Sequence, residues 1–155
     1  MNQTLLTNWN AVVSPGEEVI FGGDLTVAGS AGAFLKWIEQ LHGEIIFLTG
    51  NHDNTVFRNL EDVHIFEYYQ FSYDGYDFYC THRPEDVPRN WSGWAIHGHH
   101  HNNHLETYPF VNPEEKRVNI SAEVLSYSPI HIDSLCEFIE CGDWIEIYPS
   151  STTPP

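Results

Sequence analysis

The stretch EIIFLTGNHD, residues 44–53, decides the fold, because an apolar run ends there in a glycine and polar side chains follow at once. A short apolar run of this kind is typical of a buried strand. The earlier stretch EVIFGGD, residues 18–24, repeats the pattern. Between the two lies a predicted helix that starts near Ser30 and ends near Gly43. Two strands around one helix form a βαβ unit, which implies a parallel pair of strands.

The rest of the chain adds further predicted elements to this unit. Asp74-Gly75, between two alternating aromatic runs, is a strong hairpin signal. The other predicted elements are a helix over 4–13, strands over 93–99 and 117–125, a helix from Asp133 to Gly142 and an edge strand over 144–148. We therefore expect an α/β (α+β) fold, with one domain over residues 1–149 and a flexible tail over 150–155.

Composition restricts the class of protein. Asp and Glu number 22 against 6 Lys and Arg, for a net charge of −16, so broad nucleic-acid binding is disfavoured. An acidic, lysine-poor chain suits a halophilic source, and an ordinary acidic protein is the alternative. No apolar run could span a bilayer, and no signal peptide is recognisable, so we expect no membrane partner. Three cysteines without zinc-ribbon spacing favour free thiols in the cytoplasm.

Oxygen and nitrogen side chains follow the strands at four points, at the sequences GGD (22–24), GNHD (50–53), TH (81–82) and GHHH (98–101). Ligands of open α/β sheets bind at the carboxyl ends of the strands, so these four ends are expected to converge. Asp, Asn and His together suit a divalent transition metal. Any one of them alone is more often a turn, cap or core residue, and their repetition favours the metal site.

The segment HGHHHNNH, residues 97–104, carries five histidines in eight positions. It is interrupted and lies inside the chain, so it is not a purification tag. It is either part of a metal site or a histidine-rich loop.

At this point the sequence resembles a known family. The motifs Gly23-Asp24, GNHD (50–53), His82 and GHHH (98–101, in the pattern G-H-x-H) resemble in order those of calcineurin-like metallophosphoesterases. The likeness is closest to a small microbial and phage branch of phosphohydrolases. It covers most of residues 1–140 and includes the stretches between motifs. The resemblance implies a four-layer α/β/β/α sandwich of two mixed sheets.

The resemblance also implies roles for individual residues. Asp24 would bridge two metal ions, with Asn51, His82 and His99 completing one shell and His101 belonging to the other. His52 would stabilise the transition state or protonate the leaving oxygen, and Asp53 would orient it and raise its pKa. His100 would point away from the metals, His97 would be a packed strand residue and His104 a surface residue. Arg83 is a weaker candidate for substrate phosphate, since such a loop is more often a solvated lid.

One family motif is missing from the sequence. The family opens with a strand that ends in Asp-x-His, and no such motif precedes Asp24. A late start or truncation, a strand supplied by an oligomer or second chain, and a true short variant would each account for it. The absent strand would be central, so we expect backbone groups and part of the core to be exposed without it.

The leading functional hypothesis is a metal-dependent hydrolase of small phosphomonoesters or phosphodiesters. Manganese is the expected metal, with zinc, nickel or iron as alternatives, and one or two ions per chain. A non-catalytic metal- or phosphate-binding relative is the first alternative, and the intact His52 and Asp53 count against it. A nuclease is the second alternative, and the lack of a basic groove counts against it. The physiological substrate is not readable from the sequence.

Overall fold

A computed structural model of the chain describes residues 3–24, 31–51 and 64–141. The elements are α1 (Gln3–Val12), β1 (Glu18–Phe21), α2 (Ala31–Ile38), β2 (Glu44–Leu48), β3 (His64–Phe66), β4 (Tyr68–Tyr73), β5 (Tyr76–Thr81), a 3-10 turn (Pro84–Asp86), β6 (Trp94–His97), β7 (Val111–Asn112), β8 (Arg117–Asn119) and α3 (Ile132–Cys141).

The first sheet contains the predicted βαβ unit. Its three strands lie in the order β1-β2-β3. β1 and β2 run parallel, with Ile20 opposite Ile46, and α2 lies between them in the chain. The parallel pair is therefore confirmed. The short third strand, β3, was not predicted.

The second sheet has five strands in the order β4-β5-β6-β8-β7 and is mixed. The predicted hairpin joins β4 to β5, with Asp74 at φ 48° and Gly75 at φ 81°, as a tight hairpin turn requires. The strand expected over 117–125 was wrong in extent. β8 stops at Asn119, and hydrogen-bonded turns begin at Ser121, whose carbonyl accepts from Val124.

The described helices and the two sheets pack around two apolar cores. Trp9 of α1 and Phe34 of α2 pack against Ile45 and Phe47, which share one face of β2. Leu48, the next residue along that strand, points to the other face and joins a second core that includes Phe78, Trp94 and, from α3, Leu135. Helices α1 and α2 thus cover one face of the first sheet, and α3 joins the core that the first sheet shares with the second, so the predicted α/β fold of two sheets is confirmed.

A cavity of about 1010 Å³ runs along the open edge of β1. Within the described residues β1 pairs only with β2. Ile20 and Phe21 of β1 and Ile96 and Ile120 of the second sheet contribute to an apolar wall, and polar residues after the strands close one end. Four of the predicted metal ligands line this cavity, namely Asp24, His82, His99 and His101.

Two further expectations concern the chain as a whole. All three cysteines are free thiols, with Cys80 and Cys136 buried and Cys141 exposed. In the described ranges, every helix is too short or too polar to reach across a lipid bilayer.

Candidate metal centre

Four of the predicted ligands meet at one imidazole nitrogen. The Nε2 atom of His82 lies 3.2 Å from Oδ2 of Asp24, 3.1 Å from Oδ1 of Asn51 and 3.1 Å from Nδ1 of His99. The ligand atoms of Asp24, His82 and His99 all lie within 4.8 Å of one another. Each of the four follows a different strand, β1, β2, β5 or β6. The carboxyl ends of two sheets therefore build one cluster.

The other nitrogen of His82 determines what this cluster can hold. Nδ1 lies 2.7 Å from the carbonyl oxygen of Gly22, which can only accept, so Nδ1 carries the proton and donates. In neutral imidazole the lone pair then lies on Nε2, facing the oxygens of Asp24 and Asn51. Electron pairs gathered in this way repel one another unless a proton or a metal cation lies among them. A cluster of one carboxylate, one amide oxygen and two imidazoles suits a divalent transition metal.

The environment keeps His99 in the form that binds metals. Burial lowers the pKa of His99, and the neighbouring His82, Arg83 and His100 lower it further. A depressed pKa favours neutral imidazole at neutral pH, and only that form has a lone pair to give. His82 itself is buried, with 4% of its surface exposed.

Two glycines let the strands approach this closely. A Cβ atom at Gly50 would collide with the side chain and backbone nitrogen of Asp24. Gly23 has φ +94°, and a Cβ there would lie 2.6 Å from Nδ1 of His82. The glycines that end the two apolar runs therefore have a steric reason to be there.

His101 lies outside this cluster in the described geometry. Its Nδ1 atom is 2.9 Å from Oε1 of Glu123, and about half of its side chain is exposed. Both residues border the same cavity as Asp24 and His99. Metal-binding histidines commonly donate one ring N–H to a carboxylate, which leaves the other nitrogen for the metal. The pair is compatible with the ligand role predicted for His101, and that role stays a prediction.

The other histidines of the segment 97–104 lie where the sequence placed them. His97 is 1% exposed, and burial lowers its pKa to about 4. His100 turns away from the cluster, stacks on Tyr108 and lies 3.3 Å from Glu85. His104 is a surface residue with 71% of its side chain exposed.

Some predicted site residues remain without a test. His52 and Asp53 lie outside the described residues. Arg83 is exposed beside His82. The loop that follows it is not simply a solvated lid, since Pro84 is buried and Glu85 contacts His100. The contacts of Glu85 and Glu123 were not predicted, because neither residue belongs to a motif or to a periodic pattern.

Comparison with known proteins agrees with these features. A family model described as "Calcineurin-like phosphoesterase" matches residues 3–146. The uncharacterized protein MJ1445 of Methanocaldococcus jannaschii is 42% identical over 146 residues, which are 92% of this chain and 77% of that protein. A crystal structure of a protein of unknown function, AQ665 of Aquifex aeolicus, superposes with a TM-score of 0.67 at 21% identity. The superposition covers 90% of this chain and 87% of that one, and it shows similarity of fold.

Proposed function

Because the chain belongs to the calcineurin-like phosphoesterase family, we propose that it hydrolyses phosphomonoesters or phosphodiesters with a divalent metal bound at the His82 cluster. The observation that carries the proposal is the convergence of Asp24, Asn51 and His99 on one nitrogen of His82. The family suggests hydrolysis, and the cluster provides a place for the ion that such hydrolysis needs.

The metal, when bound, would draw charge from a phosphoryl oxygen and lower the pKa of a water molecule. The residues of the chain hold the ion and keep its ligands in the form that binds it. Asp24 supplies the negative charge that holds a cation, and the proton on Nδ1 of His82 keeps Nε2 available. The cavity beside the cluster gives a substrate access to it. Manganese is the metal we propose, with zinc, nickel and iron as alternatives that the same ligands accept.

His52 is the residue that we propose for the proton transfer. It follows Asn51, one of the clustered residues, directly in the chain. A histidine near neutral pKa can stabilise the transition state or give a proton to the departing oxygen. Asp53 would hold its ring in place. Both assignments rest on the family motif GNHD at residues 50–53.

A non-catalytic metal-binding protein is the second candidate. The observation that favours it is the position of His101, which contacts Glu123 and is not among the ligand atoms that cluster within 4.8 Å in the described part of the chain. A centre with a single firm cation position would bind an ion without clamping a phosphoryl group between two.

Metal content and turnover measured on one preparation separate the two candidates. The purified chain is loaded with manganese, dialysed, and assayed for bound metal and for hydrolysis of p-nitrophenyl phosphate and bis-p-nitrophenyl phosphate. We expect bound manganese and turnover of at least one ester, and loss of both in His82→Ala. Bound metal without turnover would favour the binding protein, and a chain that retains no transition metal would contradict both.

A further inference from the structure

Three residues on the outer side of the metal cluster form a connected group. The ring of His100 stacks on Tyr108 with centroids 3.7 Å apart and planes 5° apart. Nε2 of His100 lies 3.3 Å from Oε1 of Glu85, and the hydroxyl of Tyr108 donates to the same oxygen at 3.2 Å. One carboxylate oxygen thus joins two aromatic side chains that are themselves in contact. We call Glu85, His100 and Tyr108 the brace.

The brace connects the two loops that carry the imidazole ligands. Glu85 lies three residues after His82, in the 3-10 turn that follows β5. His100 is the next residue after His99, in the turn that follows β6. The backbone N–H of Gly98 donates to the carbonyl of His82 at 3.1 Å. The loops are therefore joined by a backbone bond on the inner side and by the brace on the outer side.

The turn that carries His99 needs such support. His99 has φ 67° and His101 has φ 52°, a left-handed conformation that side chains with a Cβ disfavour. Backbone strain of this kind persists only where surrounding contacts hold the turn in place. The fully buried side chain of Asn119 also holds this turn, since its Nδ2 donates to the carbonyls of His101 and Tyr108 at 3.1 and 3.0 Å.

We propose that Glu85, with His100 and Tyr108, is a positioning group that fixes the spacing of His82 and His99 and thereby sets the affinity of the centre for its metal. The inference rests on the proposed metal-binding function. It assigns roles to side chains that touch neither metal nor substrate. The carboxylate of Glu85 accepts hydrogen bonds from both His100 and Tyr108. An amide oxygen in the same place can accept them too, so it should preserve most of the effect on metal affinity.

Cobalt titration tests the brace without an assay of activity. The visible absorption of bound Co²⁺ reports both affinity and ligand geometry. For Glu85→Ala we expect about 10-fold weaker binding and an altered band shape, as for other residues that orient metal ligands. Tyr108→Phe keeps the stacked ring and removes one hydrogen bond, so we expect about threefold weaker binding. Glu85→Gln keeps an acceptor and should recover most of the affinity.

A second glutamate of the same region serves as the matched control. Glu106 faces His104 at 3.6 Å, and both side chains are more than two-thirds exposed. We expect Glu106→Ala to bind Co²⁺ within about twofold of the unchanged protein. Melting temperatures of the metal-free proteins are recorded alongside, so that a loss of stability is measured separately from a loss of affinity.

The outcomes distinguish this inference from the proposed function. If the unchanged protein binds no Co²⁺, the proposed function fails and there is no metal to position. If the unchanged protein binds and Glu85→Ala binds equally well with the same spectrum, only the brace is overturned. A lower melting temperature with unchanged affinity and spectrum would also overturn it, because it would show a purely structural role.

Discussion

The two halves of the candidate metal centre are built in different ways. Asp24 and Asn51, the oxygen half, follow β1 and β2 of the first sheet, and Gly50 lets them lie close together because it has no side chain. His82 and His99, the imidazole half, follow β5 and β6 of the second sheet. The ring of His82 donates to the carbonyl of Gly22, the N–H of Gly98 donates to the carbonyl of His82, and the brace joins the two loops.

Because the two halves are held differently, we expect substitutions to impair them in different ways. The oxygen half depends on space, so it should be sensitive to any added atom. The imidazole half depends on a network of partners, so it should lose function by steps as single partners are removed. Substitutions in each half, in order of decreasing expected effect, test this contrast.

The largest effect is expected at His52, the residue that follows Asn51 in the sequence. If His52 carries out the proton transfer, His52→Ala should reduce turnover by about 10²–10⁴-fold while bound metal stays the same. Steady-state kinetics and metal analysis on the same samples give the answer. Unchanged turnover would remove His52 from the chemistry and leave the oxygen half as a metal-binding element alone.

The next effect concerns the stability of the protein and the buried His97, which ends β6 two residues before His99. Burial lowers the pKa of His97 from 6.5 to about 4. Between these values the unfolded chain binds a proton that the folded chain does not, so stability is lost as the pH falls from about 6.5 to 4. The loss from this residue amounts to about 3 kcal/mol. Urea denaturation of the metal-free protein at pH 7 and pH 4.5 measures it.

His97→Phe separates this contribution from that of the other titrating groups. Phenylalanine fills a similar volume and binds no proton, so the variant should lose less stability than the unchanged protein over the same pH interval. Equal losses in the two proteins would show that His97 titrates normally and that its burial does not support the imidazole half in this way.

Crowding the oxygen half should have an effect of somewhat smaller size. In Gly50→Ala the new methyl group would collide with Asp24, and a displaced ligand should reduce turnover by about 10²-fold. Gly32→Ala in α2 is the control, because a Cβ there meets nothing within 4 Å and alanine favours a helix. Equal turnover in the two variants would mean that the close approach at Gly50 is not needed.

The smallest effect is expected at Glu123, which lies outside both halves. If its contact with His101 orients a ligand for a second ion, Glu123→Gln should weaken the second equivalent of metal by about 10-fold and spare the first. Calorimetric titration with manganese measures the two steps. Glu106→Gln, which alters an exposed Glu–His pair, should leave both unchanged. A chain that binds only one equivalent would remove the basis for this role.

Local patterns were sufficient to predict the central features of the fold. The runs at 18–24 and 44–53 predicted a parallel pair, and Asp74-Gly75 predicted the hairpin, because burial and turn chemistry act within a few residues. Polar residues after the strands predicted the meeting of four side chains, since strand ends share an edge within each sheet. The two sheets bring those edges together, and His101 lies outside the cluster. The family likeness then predicted which of the histidines are metal ligands.

Features that depend on distant partners could not be predicted in this way. β3 and β7 have three and two residues, too few for a periodicity to show. β8 ends at Asn119, whose side chain donates to the carbonyls of His101 and Tyr108. These partners lie in a separate loop, so the sequence around Asn119 does not indicate where the strand ends. Glu85 reaches His100 and Tyr108 across 15 and 23 residues, so no local pattern marks it as part of the centre.

Among the residues that the structure describes, β1 is an edge strand, and this has a consequence for handling the protein in solution. Unpaired amide and carbonyl groups along a strand can template pairing with another copy. A net charge of −16 keeps copies apart in dilute buffer. In about 1 M salt the screening length falls to about 3 Å and that repulsion is largely removed. Self-association should therefore increase with ionic strength, and light scattering across a salt series would record it.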